Sequence, residues 1–131
     1  MFADGFRRWS NVTKLAFSET TSFKEADIQI MFSSMDGELG VVGGARLDNT
    51  TDSRKIILDS DEHWVLRSDD TTESDELDPE SAVMHQIGHV LGLNHSGIAE
   101  AIMYPFIVPS RKRKVDFAKD DLGKIQKLYT T

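Results

Sequence analysis

The stretch that decides the fold runs from Met84 to Pro105, "MHQIGHVLGLNHSGIAEAIMYP". His85 and His89 stand four residues apart in a run of helical periodicity, so both imidazoles project from one face and can share one ion. Gly92 can take the left-handed conformation that ends helices. Three residues later His95 returns with a third nitrogen. The resulting pattern, H-x-x-x-H-x-x-G-x-x-H, offers three neutral imidazoles and an open fourth position, the donor set of a catalytic-type zinc site. The fourth histidine of the chain, His63, fits no such pattern and reads as a surface or packing residue.

Working outward, Asp78 followed by Pro79 predicts the start of this helix. The aspartate caps free N–H groups, and proline fits the first turn, where no donor is missed. The helix is expected to run to Leu91. Upstream, Phe2, Phe6, Trp9 and Val12 recur at spacings of three and four, which predicts a helix over residues 2–12 with that face inward. "ADIQIMF" alternates and reads as a strand, and a glycine-rich loop and ribbon, "DGELGVVGGARLD", follows it. "RKIILDSDEHW" begins as a short buried strand and ends in the carboxylates Asp59, Asp61 and Glu62. "RSDDTTESDELD" reads as a solvated acidic loop. A last helix over about 117–129 carries Leu122, Ile125 and Leu128 on one stripe, with Asp120 and Asp121 in its first turn, where they favour the helix dipole.

The chain has 131 residues, 39% of them hydrophobic, which suits one domain with a single core. Its 22 acidic and 15 basic residues give a net charge of -7, which argues against a general affinity for nucleic acid or anionic membranes. Without cysteine, disulfides are excluded, and no apolar run is long enough to span a bilayer. The basic run Ser110 to Lys114, "SRKRK", reads as a solvated loop ahead of the last helix.

The segment from about Leu77 to Tyr129, with its three histidines and "IMYP", resembles the catalytic domain of the matrix metalloproteinases, or matrixins, and most of all their plant members. "FADGFRRWSNVTKLAFSE" and "ADIQIMF" extend the likeness over nearly the whole chain. The resemblance implies an α+β zincin-like fold, a twisted mixed sheet flanked by helices, with residues 1–131 forming a single catalytic-type domain. On it, Met103 belongs to the tight Met-turn beneath the metal. The family's first strand, propeptide and signal would lie outside this chain. It further implies a secreted, matrix-associated monomer acting on a peptide or extracellular protein, with no nucleic-acid partner and no membrane segment.

The departures matter as much as the likeness. The family carries glutamate, its general base, where this chain has Gln86. On a helix Gln86 lies ~100° round from His85 and ~60° from His89, so it faces the same reacting water. It can hydrogen-bond that water but cannot take its proton. The loop that brings the family's structural-zinc histidines is shortened, and Gly44 and Ile57 stand where two of them would be, so no structural zinc is expected. Asp36, Asp59 and Glu62 match the family's calcium carboxylates and make calcium a second candidate ion. Ile107 replaces a tyrosine common in animal members beside the pocket after the scissile bond. Glu100 is the sole acidic residue between His95 and Met103.

Overall fold

A computed structural model describes residues 2–33, 43–48, 53–61, 64, 78–105 and 114–129. In chain order these form α1 (Phe2–Val12), β1 (Ile28–Ser33), β2 (Gly43–Asp48), β3 (Ser53–Asp59), α2 (Pro79–Val90) and α3 (Lys119–Leu128). The expected elements are all present, and α3 starts two residues later than the periodicity suggested. Asp36, Glu62, His63, Ile107 and the acidic loop after Trp64 lie outside the described residues.

The sheet is mixed, in the order β1-β3-β2. β1 runs parallel to β3, with Ile28 opposite Arg54 and Phe32 opposite Leu58. β2 runs antiparallel to β3, with Gly44 opposite Ile57. The two positions that the family resemblance assigns to histidines are therefore cross-strand partners. One carries no side chain and the other carries hydrocarbon.

Ile56 and Leu58 of the central strand are fully buried. They join one core with Trp9 of α1, Val83, Met84, Ile87 and Val90 of α2, and Ile125 of α3. Trp9 is the largest of these; its ring meets Phe117 edge-on at 4.7 Å, and its Nε1–H donates to Met84 O at 3.0 Å. That hydrogen bond lets an indole sit in the core without an orphaned donor. Phe2, Phe6 and Val12 flank it, partly buried, so the predicted face of α1 does point inward.

α1 reaches α2 closely because small residues stand at the contact. A Cβ placed on Gly5 would come within 3.3 Å of Ile87 Cδ1. At the same contact Arg8 pairs with Glu80 at 3.2 Å, which lets a carboxylate sit buried in the first turn of α2. The consequence for function is positional. α2 is held on one side by α1 and on another by the sheet, so its ligand-bearing turn rests on a rigid base.

Candidate metal centre

α2 begins as the sequence predicts. Asp78 is extended (φ -85°, ψ 118°), and its carboxylate accepts from the N–H of Ser81 at 2.9 Å and from its hydroxyl at 2.7 Å, with Pro79 in the first turn. The helix ends in a Schellman motif: Gly92 has φ 109°, its N–H donates to His89 O at 3.0 Å, and the Leu93 N–H donates to Gly88 O at 2.9 Å. The last carbonyls find side-chain donors, the Arg54 guanidinium for Val90 O and the Tyr129 hydroxyl for Leu91 O at 2.6 Å. With both ends satisfied, the chain turns back sharply enough to bring His95 to the face that carries His85 and His89.

The three rings converge, with centroids 4.6 Å apart for His85 and His89, 5.2 Å for His85 and His95, and 4.8 Å for His89 and His95. One nitrogen of each lies within 4.8 Å of the other two, and no Asp or Glu of the described residues joins the group. His85 is buried, His89 half-buried and His95 exposed, so the cluster opens to solvent on its His95 side.

Two of the rings are oriented by backbone carbonyls. His85 Nδ1 lies 2.8 Å from Ile102 O, and His89 Nδ1 lies 2.9 Å from Leu93 O. A carbonyl only accepts, so Nδ1 carries the proton in both rings, and Nε2 is left as the lone-pair nitrogen. The two Nε2 atoms face each other at 3.0 Å. Two lone pairs so close need a cation or a shared proton between them. Burial opposes the proton: desolvation lowers the pKa of His85 to about 4, against the upward pull of its hydrogen bond to Ile102, and desolvation also lowers that of His89. A metal cation fits instead, since two nitrogens at ~2.0–2.1 Å from one tetrahedral centre stand about 3.3 Å apart.

Gln86 is 6% exposed, and among the described residues its buried Oε1 has no hydrogen-bond partner. Met103 lies under the helix, 1% exposed, and packs so tightly against Gly88 that a Cβ there would fall 2.3 Å from its Sδ. Glu100 is exposed and Asp59 is buried, its carboxylate accepting from the Asp61 N–H at 3.0 Å.

Asp121, expected only to favour a helix dipole, does more. It is 1% exposed, and its carboxylate accepts from the N–H groups of Ile102 at 2.8 Å, Met103 at 3.2 Å and Ala118 at 2.9 Å. It thus ties the first turn of α3 to the segment whose Ile102 carbonyl orients His85. Asp120 turns outward to Ser96 at 2.5 Å and Lys124 at 3.0 Å, and the Ser96 hydrogen bond is the main reason its pKa is lowered. Nothing in spacing pointed to these partners. Gly88 did leave a signal, because glycine inside a helix asks for a packing reason.

With this geometry in view, the family comparison is decisive: the Matrixin profile matches residues 1–130. The chain belongs to the matrixin family. Metalloendoproteinase 1 of Glycine max is 44% identical over 137 residues, covering 97% of this chain and 44% of its own length. Metalloendoproteinase 2-MMP of Arabidopsis thaliana is 44% identical over 137 residues, covering 98% of the chain and 36% of its own length. Matrix metalloproteinase-26 of Homo sapiens is 36% identical over 129 residues, covering 92% of the chain and 47% of its own length. This matrixin chain therefore spans less than half the length of these relatives. Its fold is the α+β zincin-like fold of the family, and zinc is the ion the family implies for the histidine cluster. Among the described residues, no helix is long and apolar enough to cross a membrane.

Proposed function

We propose that the chain is a zinc-binding matrixin peptidase domain in which peptide hydrolysis is impaired, and that it acts by zinc-dependent binding of a peptide or extracellular protein. The observation that carries this reading is the neutral, buried Gln86 beside a histidine cluster that no described carboxylate joins. His85, His89 and His95 would hold the zinc, which supplies a Lewis acid able to polarise a carbonyl and acidify water. Ile102 O and Leu93 O keep two of the rings in the ligating tautomer, and Asp121 holds the Ile102 segment in place. Gln86 offers a hydrogen bond to a substrate or water but has no basic site for its proton. A positioned base contributes ~10²–10⁴ in rate, so its loss leaves hydrolysis slow while binding survives.

The same reading makes residues 1–131 one domain, monomeric and extracellular, with no nucleic-acid partner. Asp59, buried at the end of β3, is proposed with Asp36 and Glu62 as a calcium site because the three match the family's calcium carboxylates. A second reading, an active extracellular zinc endopeptidase, is favoured by the names of the plant relatives, which are metalloendoproteinases.

Peptide cleavage by the unmodified chain and by Gln86→Glu, with zinc counted on both, separates the two. Equal zinc with a large gain in the variant supports the impaired enzyme. Strong cleavage by the unmodified chain supports the second reading, and no zinc on either removes both.

A further inference from the structure

Every asparagine of the chain stands two residues before a hydroxyl. The three are Asn11-Val12-Thr13, Asn49-Thr50-Thr51 and Asn94-His95-Ser96. Asn-x-Ser/Thr, with any residue but proline between, is the acceptor pattern for N-linked oligosaccharide. Serine and threonine account for 21 of the 131 residues, so independent placement would put one behind all three asparagines only about once in 250 chains. The fold explains the hydroxyls. Thr13 Oγ1 donates to Trp9 O at 3.0 Å and accepts from the Leu15 N–H at 3.1 Å, closing the end of α1. Ser96 is buried, and its Oγ donates to Asp120 at 2.5 Å and accepts from the Ile98 N–H at 3.0 Å. The fold does not explain the amides. Asn11 and Asn94 are exposed, and neither side chain makes a hydrogen bond among the described residues. Asn49 lies outside those residues.

An exposed amide with no partner is what a bulky, hydrated sugar chain requires, since a glycan cannot enter a core. Asn94 has a further distinction of place. It stands in irregular chain beyond α2 and directly precedes His95, the exposed member of the histidine cluster, with the two Cα atoms ~3.8 Å apart. We propose that Asn94 is an N-glycosylation site whose sugar chain flanks the opening of the histidine cluster. The donor is an oligosaccharide carried on a lipid diphosphate. Asn94 Nδ2 loses a proton and bonds to the anomeric carbon of the first sugar, and the bond from that carbon to the diphosphate oxygen breaks, so the diphosphate leaves with the electron pair. No oxidant or reductant is needed. The transfer takes place on the secretory route, so the proposal rests on the extracellular reading above. A partner that approaches the cluster from the His95 side would meet the sugar before the metal.

The test secretes the full chain from cultured eukaryotic cells behind an appended signal peptide, beside Asn94→Gln, and maps sugar-bearing peptides by mass spectrometry, with zinc counted on both. The Asn94 side chain makes no described hydrogen bond, so the variant is expected to fold and to hold as much zinc. The unmodified chain is expected to carry a sugar chain on Asn94 that an endoglycosidase releases from the folded protein, and Asn94→Gln is expected to lose the mass of that one chain. A bare Asn94 in the secreted protein, with or without sugar on Asn11, overturns the proposal and leaves the extracellular and zinc readings standing. A sugar on Asn94 that is released only after unfolding overturns its place at the opening. If the chain is retained in the cells, translation in the presence of microsomes gives the same readout, because the transfer acts on the nascent chain. The appended signal makes these outcomes independent of where the protein resides. Recovery of the protein from the cytosol of its own tissue is a separate observation, and it overturns the extracellular reading and the proposal with it.

Discussion

At the scale of single residues, the metal centre depends on where protons sit. His85 and His89 each give Nδ1–H to a carbonyl, and burial holds both rings neutral, His85 with a pKa of about 4. In the metal-free protein this makes stability depend on pH. The unfolded chain takes up a proton near ~6.5 while the folded chain refuses it until about 4. The His85 contribution is therefore fully present above ~6.5 and is lost as pH falls toward 4, by roughly 3 kcal/mol at ~1.4 kcal/mol per unit. Urea unfolding of the metal-free protein at several pH values should show that loss, and His85→Asn should flatten it. Asp121 makes a second residue-scale prediction. Its carboxylate serves three backbone N–H groups, two of them buried, with two oxygens, and asparagine offers one. Asp121→Asn should cost about 1–3 kcal/mol in urea unfolding and weaken zinc retention, since the Ile102 carbonyl moves with its segment. A variant with unchanged stability and unchanged metal affinity would remove Asp121 from this account.

The element that matters most is α2, and its limits were legible because their signals are local. Asp78-Pro79 marks the start and Gly92 the stop, each through backbone chemistry that needs no distant partner. The placement of His95 then follows from the Schellman turn. What α2 rests on was less legible. Gly88 lies where the helix crosses Met103 and Trp9, and a Cβ there would stand 2.3 Å from Met103 Sδ and 3.1 Å from Trp9 Cζ2. Gly88→Ala should therefore destabilise by about 1–3 kcal/mol despite the better helix propensity of alanine, as thermal melts would show. Shortening the obstacle in Gly88→Ala with Met103→Ala should recover part of the loss. A stabilised Gly88→Ala would contradict the packing described. α3 shows a different gap between sequence and structure. Leu122, Ile125 and Leu128 share a stripe, yet Ile125 is fully buried and Leu128 is 53% exposed. The helix ends there, and Tyr129 takes the last contact by donating to Leu91 O.

For the molecule as a whole, the sheet order was the least legible feature. Alternation marks a strand and says nothing of its neighbour, so β1 pairing directly and parallel with β3, although β2 comes between them along the chain, is a long-range outcome. The partners of Asp121, 18 and 19 residues away in a loop, were hidden for the same reason. The histidine cluster was readable because helical pitch and one glycine dictate it. Bound zinc should also stabilise the whole fold, since it binds the folded chain with ligands from α2 and the turn beyond. Stripping it with a chelator should lower the melting temperature by roughly 5–15 °C at metal concentrations ~100 times Kd, and His85→Ala should abolish that difference.

The central claim is that this matrixin chain keeps the machinery that holds zinc and lacks the group that moves the proton. The most direct test is kcat/KM for one peptide substrate, measured on zinc-saturated unmodified chain and zinc-saturated Gln86→Glu at neutral pH. The account predicts one zinc at the cluster in both and a gain of ~10²–10⁴ in the variant. Equal rates at equal zinc content would contradict it.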